Sequence, residues 1–475
     1  MTAANLARAL RAIVGPDGVL DGDEALLVYE CDGYVLERGT PELVVLPRTP
    51  EEAASVVRLL AARRIAFVPR GAGTGLSGGT LPLDAPVMIG LGRLRAIEAI
   101  DVRNRRVQVQ AGVVNLNVSR AVAADGLLYA PDPSSQAACT IGGNIAENSG
   151  GPHTLKYGVT VNHVLGVELV LASGEVVQLG GAAEDLPGYD LVGATVGSEG
   201  TFGLITRATL RLVRAPSAFR TLLAVFERVD DASAAVSAII AAGLVPAALE
   251  MMDALILQAV EQAFGAGLPL DAGAVLLIEL DGPEAGLDDD AALVETLCRR
   301  SAAREVRRAA SEAERALLWK CRKRAFGAVG RLARNYCTQD GVVPRTQLPE
   351  ILRRITRTAE RHRLRIGNVF HAGDGNIHPI ILFDERDADE VRRVLAAGRE
   401  ILEACVALGG SLSGEHGIGV EKIAQMPLLF APEDLDAMLR LRRVFDPDQR
   451  ANPHKVLPDS KSCIETRTPR RQAAM

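Results

Sequence analysis

Residues 69–79 read Pro69-Arg70-Gly71-Ala72-Gly73-Thr74-Gly75-Leu76-Ser77-Gly78-Gly79, with five glycines and two hydroxyl side chains directly after the short apolar run 65–68. Glycine has no Cβ, so its backbone can adopt positive φ angles and approach a ligand closely. Successive N–H groups in such a loop can converge on an anion. The stretch therefore predicts a phosphate-binding loop.

Two common phosphate loops do not fit the neighbouring residues. The spacing G-x-G-x-x-G from Gly73 matches the dinucleotide-binding fold, but that fold needs a helix that begins within the glycines. Pro82 and Pro86 interrupt such a helix. A P-loop needs a lysine after its last glycine, and residues 71–93 contain none. A glycine-rich surface loop without a ligand would not explain Arg70 and the two hydroxyls among the glycines.

The composition predicts a globular protein of two or three domains. The chain has 475 residues, 48% of them hydrophobic, and a net charge of −6, which provides no basic surface for nucleic acid or an anionic membrane. The seven cysteines form no Cys-x-x-Cys pair, which argues against an iron–sulfur cluster, a zinc knuckle or a disulfide framework. The N-terminus lacks signal-peptide features, and the longest uncharged stretch, 232–249, is interrupted by Gly243 and Pro246. We expect a cytoplasmic location.

A strand–helix–strand unit precedes the glycine loop. Residues 43–46 are apolar, and Thr49-Pro50-Glu51-Glu52 provides an N-cap, a proline at the first helical position and a carboxylate at the third. We therefore predict a helix to about Arg64, followed by a strand at 65–68. Further along the chain we predict strands at 87–91, 106–110 and 204–213, a helix at 115–124, and a hairpin of 164–171 with 176–179.

Two further glycine-rich tracts, at 131–152 and 197–203, suit a backbone wrapped around an extended ligand. Residues 214–217 read as a domain boundary. The chain then alternates strands with alanine-rich helices, as expected of an α+β domain. We predict strands at 221–226 and 275–280, and helices at 231–242, 288–300, 312–323, 348–363 and 387–408.

The residues that indicate chemistry lie in His371-Ala372-Gly373-Asp374-Gly375-Asn376-Ile377-His378. Asp-Gly is a favoured two-residue hairpin turn. Such a turn pairs residues whose numbers sum to 749, so His371 would lie opposite His378, with Cβ atoms roughly 5 Å apart. The two imidazoles could hold a metal ion with Glu415 as third ligand, and His416 would remain free as a general base. The alternative is that these histidines only cap a hairpin and a helix.

An anionic substrate also needs a cation that stays charged. Arg322 and Arg345 are candidates, because an arginine can bind a carboxylate with two parallel hydrogen bonds. Their spacing alone separates them only weakly from the basic residues of a solvated helix face.

Taken together, these motifs resemble the FAD-linked oxidase family that shares its FAD domain with vanillyl-alcohol oxidase, and most closely the branch that contains subunits of bacterial glycolate oxidase. The resemblance covers nearly the whole chain. It implies an α+β protein with a two-subdomain FAD-binding domain of the vanillyl-alcohol-oxidase/PCMH type in residues 1–216, with its core at about 40–215. An α+β, ferredoxin-like FAD-linked oxidase C-terminal domain would follow at 217–458. Residues 459–475 are expected to be a disordered tail.

The resemblance also implies the site residues. A divalent, zinc-like metal would bind to His371, His378 and Glu415, and the same ligands also suit manganese or iron. His416 would be the base, Arg322 would clamp the substrate carboxylate, and Asn376 would join these two in substrate binding. FAD would contact the following residues: Arg70, Gly71, Ala72, Gly73, Thr74, Gly75, Ser77, Gly78, Pro131, Asp132, Ser134, Ser135, Gly142, Gly143, Asn148, Gly150, Gly151, Glu199, Gly200, Ile205 and Asn452.

Two positions depart from the pattern of the family. Members that oxidise dicarboxylic hydroxy acids carry a lysine where this chain has Thr338, two residues before Asp340. This weakens any expectation of a second substrate carboxylate. The family usually has glycine at the position of His454.

The implied activity is oxidation of a small 2-hydroxy acid to the 2-keto acid by hydride transfer to flavin, with glycolate to glyoxylate favoured. The chain has no cysteine cluster to take up the electrons, so partners are implied. By resemblance these are an iron–sulfur subunit and a second FAD-domain subunit, which would bring the complex to the inner face of the membrane. The alternatives are a stand-alone dehydrogenase of D-lactate or another D-2-hydroxy acid, and a non-catalytic FAD-binding scaffold subunit.

Overall fold

A computed structural model describes residues 2–182 and 187–458. The predicted disordered tail, 459–475, lies outside these residues. In the first part of the chain the structure has eleven strands and seven α-helices among the described residues. The strands are β1 (Val19–Leu20), β2 (Leu43–Val45), β3 (Phe67–Arg70), β4 (Val87–Gly90), β5 (Ile97–Asp101), β6 (Arg106–Gln110), β7 (Leu127–Leu128), β8 (Val164–Val170), β9 (Val176–Gly180), β10 (Leu204–Arg211) and β11 (Val213–Arg214). The helices are α1 (Ala3–Val14), α2 (Asp23–Leu26), α3 (Pro50–Ala62), α4 (Asn115–Val122), α5 (Ile141–Glu147), α6 (Thr154–Tyr157) and α7 (Leu191–Thr195).

These strands form two main sheets, a four-stranded sheet in the order β1-β2-β4-β3 and a five-stranded sheet in the order β5-β6-β10-β8-β9. The β2–α3–β3 unit confirms the predicted strand–helix–strand unit, and α3 begins as predicted. The Glu52 N–H donates to Thr49 Oγ1 at 3.1 Å, while the Glu52 carboxylate accepts from the Arg48 N–H at 2.7 Å. One apolar core spans both sheets and the inner faces of α1 and α3.

The strand before the glycine loop begins two residues later than predicted, at Phe67. Arg64 has a φ of +55°, and the N–H of Ile65 still bonds to the Leu60 carbonyl. The turn that ends α3 therefore includes Ile65. Because β3 then extends to Arg70, the glycine loop begins directly at the carboxyl end of a buried parallel strand.

The second part of the chain is built on one eight-stranded antiparallel sheet. Its order is β15-β12-β14-β13-β18-β19-β16, and β17 also pairs with β19. The strands are β12 (Ala218–Phe226), β13 (Ala248–Asp253), β14 (Ala274–Gly282), β15 (Glu305–Arg308), β16 (Asn335–Thr338), β17 (Gly341–Val342), β18 (Arg365–His371) and β19 (Asn376–Phe383). The helices are α8 (Val229–Ala241), α9 (Ala254–Phe264), α10 (Leu287–Arg300), α11 (Glu312–Lys323), α12 (Ala325–Val329), α13 (Leu348–His362), α14 (Ala388–Ala407), α15 (Met426–Leu429) and α16 (Pro432–Phe445).

Helices cover both faces of this sheet. Apolar residues of α8, α10, α13 and α14 pack against one face, and those of α9, α11 and α12 pack against the other. The sheet is therefore buried on both sides, and polar side chains within its strands are removed from water. No helix in residues 2–182 and 187–458 combines the length and the apolar character needed to cross a membrane.

The predicted register of the β18–β19 hairpin is wrong by two residues. His371 pairs with Asn376 and Val369 pairs with His378, so residue numbers sum to 747 rather than 749. The connection has four residues, because the Asp374 carboxylate accepts from the Asn376 N–H at 3.0 Å and Gly375 takes a φ of +85°. A shift of two residues keeps side chains on the same face of a strand. His371 and His378 are therefore diagonal neighbours on one face, with ring centroids 5.1 Å apart.

Candidate active site

The glycine loop and the second glycine tract line a cavity of about 300 Å³. A smaller cavity of about 60 Å³ adjoins it and shares four lining residues with it, Gly71, Thr80, Gly143 and Glu147. Of the residues predicted to bind FAD, the two cavities are lined by Arg70, Gly71, Ala72, Gly73, Thr74, Gly75, Ser134, Ser135, Gly142, Gly143, Glu199, Gly200, Ile205 and Asn452.

The other seven predicted residues, Ser77, Gly78, Pro131, Asp132, Asn148, Gly150 and Gly151, do not line these two cavities. Gly150 instead lines a separate cavity of about 180 Å³ beside His371. The Asn148 side chain accepts from the Val161 N–H at 2.9 Å, and Asp132 is engaged in ion pairs. We interpret Asn148 and Asp132 as supports of the loops.

The lining fits an extended cofactor. A Cβ at Gly71 would collide with Thr140 Oγ1, and one at Gly142 would lie 2.7 Å from the Ala111 side chain, so the two glycine tracts pack too closely on their neighbours for a larger residue at either position. The Asn452 side-chain carbonyl and one oxygen of Glu147 are buried without a hydrogen-bond partner in the protein. Arg70 lies under the loop and donates to the Cys31 carbonyl at 2.9 Å and to Thr80 Oγ1 at 3.1 Å. Its guanidinium therefore shapes the loop from below.

The three predicted metal ligands converge on one point. His371 Nε2 and His378 Nε2 each lie 3.1 Å from Glu415 Oε1, and all three side chains are largely buried. His371 and His378 come from adjacent strands, whereas Glu415 comes from the glycine-flanked loop 413–419. Two imidazoles and one carboxylate in this arrangement suit a divalent metal that keeps an open position.

Buried carboxylates stand behind both histidines. The Glu250 carboxylate lies 2.9 Å from His371 Nδ1, and Asp340 Oδ1 lies 3.8 Å from His378 Nδ1. The Glu250 contact is short enough to orient His371 and fix its tautomer. The 3.8 Å separation at His378 is too long for a hydrogen bond, and His378 Nδ1 has no hydrogen-bond partner in the protein. Burial alone would raise the pKa of Glu415, but the charge of His371 beside it holds that pKa well below its usual value.

His416 lies beside the metal ligands and lines the large cavity. Its ring stacks on that of His378, with centroids 4.8 Å apart and planes 6° apart, and its Nδ1 is buried without a hydrogen-bond partner. Burial lowers the pKa of His416 to about 4. The imidazole is therefore neutral at pH 7 and can accept a proton.

Asp340 holds the first half of the loop that carries Glu415 and His416. Its carboxylate accepts from Ser413 Oγ at 2.6 Å and from the N–H groups of Gly414 and His416 at 3.0 Å each. The Lys422 ammonium lies 3.3 Å from the same carboxylate. Asp340 thereby fixes the loop at three points, and Lys422 balances its charge.

The structure places Arg322 behind the metal ligands rather than on the cavity wall. Its side chain is fully buried, forms an ion pair with Glu250 at 2.5 Å, and lies 3.4 Å from His371 Nδ1. Its Nε and Nη1 atoms have no hydrogen-bond partner in the protein. Asn376 lines the cavity beside His371, and its side chain fills the space left by the missing Cβ of Gly414.

Two site residues had no assigned role at the level of sequence. Glu250 is a charged residue within the otherwise apolar part of β13, and Asp340 lies between two short strands; both are buried. A carboxylate within an apolar strand was the signal in the sequence that could have indicated Glu250. The backbone explains why the family usually has glycine at the position of His454, because His454 has a φ of +58°, a region that favours glycine.

Comparison with known proteins defines the class. Residues 41–180 match the family described as an FAD binding domain, and residues 215–456 match FAD linked oxidases, C-terminal domain. The chain belongs to the FAD-linked oxidase family and is an FAD-linked oxidoreductase.

Several relatives extend over almost the whole chain. It is 47% identical over 457 residues to glycolate oxidase subunit GlcD of Escherichia coli strain K12, covering 96% of this chain and 92% of the relative. It is 40% identical to the protein of the same name from Bacillus subtilis strain 168, with 96% and 97% covered. A D-lactate dehydrogenase from Anaerostipes hadrus is 32% identical, with 93% and 95% covered.

Solved structures support the predicted fold. The 4-ethylphenol oxidase from Gulosibacter chungangensis superposes with a TM-score of 0.80, at 19% identity, over 96% of this chain and 97% of its own. Together with the two family matches, this likeness confirms the expected architecture, in which an FAD-binding domain of the PCMH type is joined to an FAD-linked oxidase C-terminal domain.

Proposed function

We propose that this protein oxidises a small 2-hydroxy acid to the 2-keto acid, with glycolate as the favoured substrate, and that it is the catalytic subunit of a glycolate oxidase complex. The observation that carries the proposal is the position of His416. This neutral imidazole lies on the wall of the large cavity and stacks on His378, one of three candidate metal ligands. The two most similar relatives described above are named as glycolate oxidase subunits.

We propose that residues 1–216 bind FAD and that residues 217–458 bind substrate and metal. FAD, when bound along the two glycine-lined cavities, supplies a two-electron acceptor. A divalent ion, when bound by His371, His378 and Glu415, supplies a Lewis acid for the 2-hydroxyl group. Zinc, manganese and iron all suit these ligands.

Each residue of the site has a separate role in the proposed reaction. His416 accepts the proton of the substrate hydroxyl, while Glu250 keeps His371 oriented and Asp340 holds the loop that carries Glu415 and His416. Arg322 holds Glu250 in place through their 2.5 Å ion pair. A contact between Arg322 and the substrate carboxylate would need its unpartnered Nε and Nη1 atoms to become accessible from the cavity. Asn376 lines the separate cavity beside His371, and its expected part in substrate binding remains a proposal.

We further propose that electrons leave through other subunits, by resemblance an iron–sulfur subunit and a second FAD-domain subunit at the inner face of the membrane. Neither of the two candidate metal groups in the described residues contains a cysteine. The name of the similar D-lactate dehydrogenase supports an enzyme of that type as the alternative.

Anaerobic titration of the purified flavoprotein with D- and L-2-hydroxy acids tests the proposal. We expect glycolate to bleach the flavin absorbance, and we expect H416A to retain FAD but to be reduced far more slowly. If H416A is reduced at the wild-type rate, the assignment of the base is wrong. If no 2-hydroxy acid bleaches the flavin and metal analysis finds no bound ion, the non-catalytic scaffold is favoured.

A further inference from the structure

Lys323 occupies a position on the large cavity that the proposed chemistry has not used. It is the last residue of α11, and it lines the cavity together with Phe326, Tyr336, Glu415 and His416. Among the described residues that line this cavity, it is the only lysine or arginine. The neighbouring Arg322 does not reach the wall, since its side chain is fully buried against Glu250.

The charge of Lys323 is only partly neutralised by its surroundings. Its ammonium lies 2.8 Å from Asp132 Oδ2, and the same oxygen lies 2.8 Å from His153 Nδ1. Burial alone would lower the pKa of His153, but the Asp132 carboxylate raises it to about 10. His153 is also paired with a second carboxylate, because its Nε2 lies 3.5 Å from Glu279 Oε1. The Lys323 ammonium therefore shares its own carboxylate partner, Asp132, with a second cation.

The Lys323 side chain is also fixed in position and accessible from the cavity. Asp132 and the ring of Trp319 fix the ammonium from behind, and 22% of the side chain remains exposed. An ammonium held in this way loses little conformational entropy when an anion binds, and a charge-assisted hydrogen bond in a partly desolvated site is stronger than a neutral one.

We propose that Lys323 binds the carboxylate of the 2-hydroxy acid on the cavity side of the site. The proposal rests on the proposed function for its choice of ligand. Lys323 would thus be a second cationic residue for the substrate, distinct from Arg322 behind the metal ligands. Phe326 and Tyr336 provide the apolar walls beside it.

The test compares glycolate with glycolamide, a neutral molecule of nearly the same shape, as reductants of the flavin in the absence of oxygen. We expect K323M to bind glycolate about 10- to 100-fold more weakly, because one charge-assisted hydrogen bond is lost, and to bind glycolamide as the wild type does. K323R should recover most of the glycolate affinity. K320M is the matched control, because Lys320 lies on the same helix, is exposed and packs on Phe264.

Unchanged glycolate affinity in K323M would overturn the proposal, as would an equal loss for glycolate and glycolamide. A shift in flavin midpoint potential with unchanged glycolate affinity would also overturn it, because Lys323 would then act on the cofactor. If wild-type protein is not reduced by any 2-hydroxy acid, the proposed function fails by itself. Titration with acetate, followed by flavin absorbance, then decides on Lys323, since K323M should bind acetate more weakly than wild type and K320M should not.

Discussion

Glu199 joins the FAD-binding part of the chain to the loop that carries the candidate base. Its two carboxylate oxygens accept from the N–H groups of Ile418 and Gly419 at 2.7 Å each, and the residue is only 5% exposed. Its own carbonyl accepts from Asn452 Nδ2 at 2.7 Å. Glu199 was predicted to contact FAD. It lines the smaller cavity with its backbone strained at a φ of +50°, but its carboxylate fixes the loop two residues after His416.

We predict that E199Q lowers both stability and the rate of flavin reduction. The amide group of glutamine has one accepting oxygen, so one of the two loop N–H groups becomes a buried donor without a partner. Such a group costs about 1–3 kcal/mol. The free energy of unfolding, measured in urea with FAD bound, should fall by about that amount. Flavin reduction by saturating glycolate should slow, because His416 loses its fixed position.

Glu147 provides the matched control, because it is the neighbouring buried carboxylate. Burial raises its pKa well above the usual value, and the charge of Glu199 raises it further. Burial raises the pKa of Glu199 as well, but the N–H groups of Ile418 and Gly419 oppose that rise, so Glu147 is the more readily protonated member of the pair. E147Q keeps the shape and the neutrality of the protonated acid. We expect E147Q to stay within about 0.5 kcal/mol of wild type. Equal effects of E147Q and E199Q would refute this reasoning.

Three further outcomes are expected. E415Q should lose bound metal, measured by elemental analysis, while FAD content stays stoichiometric, because the carboxylate that lies 3.1 Å from both histidines is replaced by a weaker ligand. G419A should lower the urea unfolding free energy by more than about 1 kcal/mol, because its φ is +53° and a Cβ would collide with the Ser77 carbonyl. His153 has a raised pKa, so its stabilising charge is fully present below its unfolded pKa of 6.5 and is lost as the pH rises through about 10. The thermal unfolding midpoint should therefore fall as the pH rises through this window in wild type, and it should fall less in H153N.

Local signals in the sequence predicted the elements that carry the site. The N-cap of α3, the glycine loop after β3 and the β18–β19 hairpin each depend on residues a few positions apart, and all three exist in the structure. The prediction that His371 and His378 share one face of the hairpin was correct although the predicted register was wrong, because a shift of two residues leaves the face unchanged. The four-residue loop depended on one Asp374 hydrogen bond that the Asp-Gly pattern does not reveal.

Contacts between distant segments could not be predicted in the same way. Glu250 reaches His371 because β13 pairs with β18, and their residues are separated by 121 positions. Glu199 reaches Ile418 across 219 positions. Each is a buried carboxylate whose partner is chosen by the packing of the whole sheet or of the two parts of the chain. Periodicity and turn chemistry carry no information about such pairs.

The loop 413–419 meets a glycine tract that lies far earlier in the chain, since Glu199 and Gly419 are 220 positions apart. Asp340 fixes the N-terminal half of residues 413–419 to the large sheet, and Glu199 fixes the C-terminal half to the FAD-binding part. His416 lies between the two attachments. The position of the candidate base relative to the cofactor cavity is therefore set by both parts of the chain together. A change at either carboxylate should alter the rate of reduction before it alters the binding of FAD.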